Sequence, residues 1–138
     1  MYLAVIDTNE IKKRENLATS KTTVRIVVEL GAVHDMNSNA VNALSLVDNV
    51  APDVFIKDAV KPILLSSTLN LTSETLSLTF DETVNCKTLV VENHVTLEEP
   101  SGEAFGLTGT TTDVLALSFD TICTFILKTN DQNGRAHV

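Results

Sequence analysis

A chain of 138 residues with 43% hydrophobic content has enough apolar material for one ordinary domain with a real core, and too little length for two full ones. Its formal net charge of −8 excludes a basic nucleic-acid groove, because a polyanion would be repelled rather than exchange counterions with such a surface. Aromatics make up only 4% and Trp is absent, so a core must be built from Val, Leu and Ile, and the β-branched residues with abundant Thr favour pleated sheet.

Residues 2–6 are apolar and suit a short strand end, and they lack the charged leader of a secretory signal, so any such signal is expected outside this window. Asp7-Thr8-Asn9-Glu10 has the form of a capping box and predicts a short surface helix. That helix should run through Lys12, Lys13 and Arg14 to about Leu17, with the basic residues as its solvated face. Val24, Ile26, Val28 and Leu30 alternate with Arg25, Val27 and Glu29, which predicts a strand ended by Gly31. This run is broken by Arg25 and Glu29 and falls far short of a membrane span. A polar turn over 31–39 and a strand over 41–47 follow, then a proline-bounded extended connector over 49–62.

The clearest period-two pattern lies in 69–85. Leu69 and Leu71, then Leu76, Leu78 and Phe80, alternate with polar residues around Ser73-Glu74, which predicts a hairpin with one face buried and one wet. Short strands are expected at 88–91 and 95–97, and a loop at 98–103 around Pro100 and Gly102. Two last strands are expected at 114–119 and 122–128, separated by Asp120-Thr121. Asp131-Gln132-Asn133 after an apolar stretch echoes Asp7-Thr8-Asn9 after Met1-Tyr2-Leu3, as in a window slightly longer than one repeat.

These stretches resemble a known family. T-L-S-L-T-F-D-E-T-V-N, residues 75–85, is similar to the second-strand signature of bacterial-type immunoglobulin-like tandem repeats, in which threonine-leucine alternation precedes F-S-E-P-V-D. G-A-V-H-D-M-N-S-N-A-V, residues 31–41, resembles the same family's late turn, G-A-V-x-D-x-x-G-N-x-V; Lys61-Pro62 resembles the opening proline of a repeat, and Leu107-Thr108-Gly109 a mid-domain turn. Asp81, Thr83 and Ser38 depart from the usual Ser, Pro and Gly. The late half here precedes the early half. The resemblance therefore implies an all-β, immunoglobulin-like β-sandwich with one short helix, cut across two successive repeats. Residues 1–50 would form the C-terminal half of one repeat, 51–61 a linker and 62–138 the N-terminal part of the next. The half-domains would be completed by neighbouring copies, and a single-chain circular permutant is the alternative.

No catalytic constellation emerges, and no enzyme activity is expected: His34, His94 and His137 lie in turns or at the terminus, outside any Ser/His/Asp or Cys/His pattern. Asp35, Asn37 and Asn39 imitate the opening of a calcium loop, but Ala40 replaces the needed glycine and Leu46 the bidentate glutamate, so they are a weak metal candidate beside a plain Asn/Asp turn. Glu98-Glu99 reads as a solvated pair. Cys86 and Cys123 point to one disulfide, with two unpaired buried thiols as the alternative. Asn70-Leu71-Thr72 is an N-glycosylation acceptor on the wet side of its strand, or a chance sequon in a Thr-rich chain; Ser66-Ser67-Thr68 and Thr110-Thr111-Thr112 are candidate O-linked positions.

The expected function is that of a structural subunit of an extracellular or cell-surface fibre. Its partners would be copies of itself in a head-to-tail polymer, with no cofactor other than covalent glycans, no nucleic acid and no membrane span. The alternative is a cell-surface adhesin or carbohydrate-binding module. A lone Tyr and no Trp give such a module little to stack on sugar.

Overall fold

A computed structural model describes residues 3–45, 47, 50–92, 94–108, 115 and 119–127. They form mostly β-strands in two antiparallel sheets with one short helix. The chain divides into two units, one made of Met1–Lys13 with Lys61–Val138 and the other of Arg14–Val60. The N-terminal helix thus belongs with the C-terminal part of the chain, and the observed division differs from the expected boundaries at 50 and 62.

The larger unit is built on a three-stranded sheet in the order β1-β2-β5, formed by β1 (Leu64–Asn70), β2 (Thr75–Asn85) and β5 (Phe119–Ile126). Leu69 lies opposite Leu76 and Leu76 opposite Phe125, while Ser67, Leu78 and Cys123 form the next row, so these residues share one face. The opposite face carries Thr68, Ser77 and Thr124 in a row, and a hydrogen bond of 2.7 Å joins the Ser77 and Thr124 hydroxyls. The period-two pattern therefore sorts β2 and β5 as expected: Leu76, Leu78, Phe125 and Leu127 are buried with Val91 and Leu107, and Phe80, Leu89, Val95 and Leu97 pack around them, whereas every residue of β1, Leu69 included, is exposed against expectation. Each such buried side chain contributes about 1.5–3 kcal/mol of hydrophobic stabilisation. A small hairpin of β3 (Thr96–Glu98) and β4 (Ala104–Gly106) flanks this core. Gly102 turns it with a φ of 100°, a left-handed conformation that favours glycine.

Several local readings are corrected. Residues 71–74 form the turn between β1 and β2, so Leu71 is not a strand residue; the Asn70 side-chain oxygen accepts hydrogen bonds of 3.0 Å from the N–H groups of both Thr72 and Ser73 and ends β1 there. The strand expected at 88–91 does not form: Thr88 closes a 3-10 turn over Cys86–Thr88, in which the Asn85 side chain accepts from the Lys87 N–H and the Thr88 hydroxyl donates to the Asn85 carbonyl. β5 runs unbroken through Asp120-Thr121, where a break was expected. Of the expected strand at 114–119 only Leu115 and Phe119 lie among the described residues, and Leu115 N–H donates to the Thr124 carbonyl. Residues 131–133 lie outside the described residues.

Helix α1 spans Val5–Lys12, its N-cap three residues before the Asp7 of the capping-box reading and its end well short of Leu17. Its N-cap is Ala4 without a side-chain bond, and Asp7 sits in the first turn, where the helix dipole favours a carboxylate. Eight residues are marginal alone, so the helix depends on what it touches. The contact is with the irregular part of β2, where the β2–β5 register shifts between Thr79 and Val84 and leaves strand groups without ladder partners. There Thr83 N–H donates to Asn9 Oδ1 and the Thr83 hydroxyl to the Asn9 carbonyl, each at 3.1 Å. Lys12 pairs with Glu82, and Lys13 reaches Asp120 at 3.7 Å. Lys12 and Lys13, expected with Arg14 as a solvated face, therefore pin the end of the helix to the sheet, whereas Arg14 is exposed and opens the other unit. Beyond Lys13 the helix gives way to turns in which Thr23 Oγ1 accepts from the N–H groups of Thr19 and Ser20, a local competition that Ser and Thr side chains commonly win.

In the smaller unit the predicted strands at 24–30 and 41–47 make only isolated antiparallel bridges, Ile26 with Val50 and Val28 with Leu44. Ile26 N–H donates to the Val50 carbonyl, and Val28 and Leu44 exchange both of their bonds. No described residue of 14–60 is buried.

Cys86 and Cys123 are joined in a disulfide with Cα atoms 5.3 Å apart and a sequence separation of 37. Closing a loop of that length removes chain entropy from the unfolded state equivalent to about 4 kcal/mol. Urea unfolding of the Cys86→Ala/Cys123→Ala variant should therefore show a stability lower than wild type by about that amount. An unchanged midpoint would show that the crosslink adds nothing to the folded unit.

Candidate functional site

The open edge of β1 is the most consequential surface of the larger unit. β1 lies at the border of its sheet, so one of its two rows of main-chain donors and acceptors has no strand partner among the described residues. All of its residues are exposed. Leu69 shares the buried face of the sheet with Leu76, which is 3% exposed, yet is itself 41% exposed, and Leu65 is 63% exposed. The apolar layer that covers β2 and β5 thus runs out before it reaches β1. β1 carries no charged side chain, although the whole chain has a net charge of −8.

The smaller unit has a comparable edge. Ile26 and Val28 direct their N–H groups toward Val50 and Leu44, so in an extended stretch the main-chain groups of Arg25 and Val27 face the other way. Ile26 and Leu30 are 48% and 71% exposed.

Asn70 stands exposed at the end of β1, at the apex of the hairpin. It lies opposite Thr75, which lies opposite Ile126, and this row is on the face away from the core. The side-chain oxygen is engaged by the turn, whereas a glycan is attached through the side-chain nitrogen.

Asp35, Asn37 and Asn39 come together as a turn closed on itself. Asp35 Oδ1 accepts from the N–H groups of Asn37 and Asn39 at 2.8 and 2.9 Å, and Oδ2 from the Asn39 side-chain amide at 2.9 Å. Ser38 adopts a left-handed φ of 66°, and the His34–Ala40 bridge closes the loop. The carboxylate faces the loop's own donors, an arrangement that builds a tight turn. The hydrogen bond from the Asn39 side chain, with those from the backbone of Asn39 and Asn37, holds the Asp35 carboxyl below its usual range. Among the described residues no group of three or more His, Cys, Asp or Glu side chains converges as a metal site. Glu98 ends β3, and Glu99 in the following turn accepts a hydrogen bond from the Ser101 hydroxyl.

A shallow cleft of about 380 Å³ lies beside the disulfide, with Pro62, Phe80, Val84, Leu89, Val90 and His94 among its walls. It is mainly apolar. His94 Nδ1 lies 2.9 Å from the Glu92 carbonyl oxygen, its own neighbouring backbone. His34 is in the 34–40 hairpin, apart from His94 in sequence and in unit, and His137 lies outside the described residues. Among the described residues no helix is long and apolar enough to cross a membrane. Comparison of the chain with protein-family models, with curated proteins and with solved structures finds no match.

The depressed Asp35 pKa has a sign that can be checked. A carboxyl whose folded pKa lies below its unfolded value contributes stability above the unfolded pKa, and that contribution is lost as pH falls through the folded pKa. The amide resonances of Asn37 and Asn39 should titrate together in acid, with a midpoint below that of an ordinary aspartate. A midpoint at or above the ordinary value would mean that the carboxylate does not hold the turn.

Proposed function

We propose that this chain is a structural subunit of an extracellular fibre or surface filament. Its copies associate head to tail through immunoglobulin-like β-sandwich units, and strands of one copy complete the sheet of the next. On this reading the window spans two successive half-repeats, its role is mechanical rather than enzymatic, and it takes no cofactor beyond covalent glycan. One observation carries the reading: the apolar strand stretches of Arg14–Val60 bury no described side chain, while β1 leaves both its edge and Leu69 open. An uncovered apolar strand edge is an association site by default. The disulfide is compatible with an oxidising, extracellular setting.

Negative-stain microscopy and sedimentation velocity over a range of concentrations test the proposal. The expected outcome is a concentration-dependent population of filaments of uniform width, and monodisperse monomers at every concentration would overturn it.

Glycosylation at Asn70 belongs to the same reading and has its own test. Intact mass of native material should exceed the sequence mass, and enzymatic removal of N-glycans should leave Asp in place of Asn at position 70. A native mass equal to the sequence mass would remove glycan from the proposal.

A further inference from the structure

We infer that the strand which completes the open edge of β1 is the stretch 24–29 of a second copy of this chain. The inference rests on the self-association reading and names the two surfaces that meet. β1 has seven residues, and the stretch 24–29, before the turn that Ala32 N–H closes on the Glu29 carbonyl, has six. Each has one edge without a strand partner among the described residues, and each has apolar side chains on one side that stay about half exposed, Leu64 and Leu69 at 50% and 41% and Ile26 at 48%.

Pairing the edges satisfies both needs at once. The main-chain groups of Arg25 and Val27 face away from Leu44 and Val50 and are free to continue the β1 ladder. Because side chains alternate along an extended stretch, Val24, Ile26 and Val28 share one face, which can lie beside Leu64 and Leu69, while Leu30 sits in the turn that follows. The sheet then gains a fourth strand, and the apolar layer is extended at the border where it now stops.

Charge favours the same pair. Two copies of net charge −8 repel one another, so a contact between them is cheapest where carboxylates are few. β1 has no charged residue, and 24–29 carries one Arg and one Glu, which cancel. By contrast, the connector at 54–60 places Asp58 on the same side as Val54, Ile56 and Val60, and Asp58 Oδ1 accepts from the Val60 N–H, which bends the segment away from a regular strand. Strand addition of this kind draws affinity from main-chain bonds and specificity from the alternating side chains.

The test uses the full chain. Val27→p-benzoylphenylalanine places a photo-crosslinker at the exposed edge; unlabelled variant is mixed with ¹⁵N-labelled wild type, irradiated, and the crosslinked peptides are read by mass spectrometry. The expected result is a link from position 27 to peptides containing 64–70, with one partner of each isotope. A second variant, Val27→Pro, removes an edge N–H while leaving the Ile26, Val28 and Leu44 bonds possible; it should abolish filaments while the circular dichroism spectrum stays as in wild type. Links within single chains only would mean that the same molecule supplies the strand and would overturn the inference. Links to another segment, with filaments intact, would overturn this pairing and leave the self-association reading standing. Absence of both filaments and intermolecular links would overturn both.

Discussion

Strand β2 has a hydrogen-bonded neighbour on each side, and its apolar face is covered. The larger unit depends on that arrangement. Leu76 and Leu78 supply the inward side chains, Phe125 and the Cys123 half of the disulfide come from β5, and Val91 and Leu107 close over them. Farther along, β2 departs from ideal pairing, and the chain answers with α1. Asn9 accepts from the Thr83 N–H, which the irregular strand leaves without a ladder partner, Lys12 pairs with Glu82 of β2, and Lys13 with Asp120 of β5. An orphaned main-chain group in a partly buried place costs about 1–3 kcal/mol, comparable to the benefit of burying a core side chain, so this docking is as much a part of the fold as the core.

Away from β2 the balance changes. β1 has one paired edge, and the strand stretches of the smaller unit have isolated bridges and no buried side chain among the described residues. Ordering a strand costs about 1–2 kcal/mol of backbone entropy per residue, which burial ordinarily offsets. Where burial is missing, the offset has to come from something that covers the strand. Among the described residues, the exposed groups that lack partners include main-chain edges and branched aliphatic side chains, the groups by which strands recognise other strands.

Much of the larger unit was legible because its signal is local. Alternation at 76–80 marks which face is buried, and two cysteines in a β-rich chain mark a bridge. Three of the misreadings, at the end of β1, at Thr88 and beyond Lys13, share a cause. Asn70, Asn85 and Thr23 each redirect nearby N–H groups to a side chain, and such local captures end or displace elements that periodicity alone would continue. β4 escaped notice because Ala104–Gly106 is too short to show a period. The exposure of Asn70 followed from alternation, and the closed turn around Asp35 from its Asn-rich composition. The expectation of open edges came from the order of the repeat-like halves and not from alternation, since a pattern of inward and outward residues looks the same whether or not the next strand is present.

The interrupted layout of the larger unit bears on how the chain reaches its fold. Asn9 meets Thr83 across 74 residues, and Arg14–Val60 intervenes as a separate unit. As the polypeptide emerges from a ribosome, α1 leaves the exit tunnel long before the sheet it docks on, and a helix of this length has little persistence while it waits. Its docking is a late, high-contact-order step, and until then the face of β2 that it serves is accessible to a chaperone or to an adjacent nascent chain.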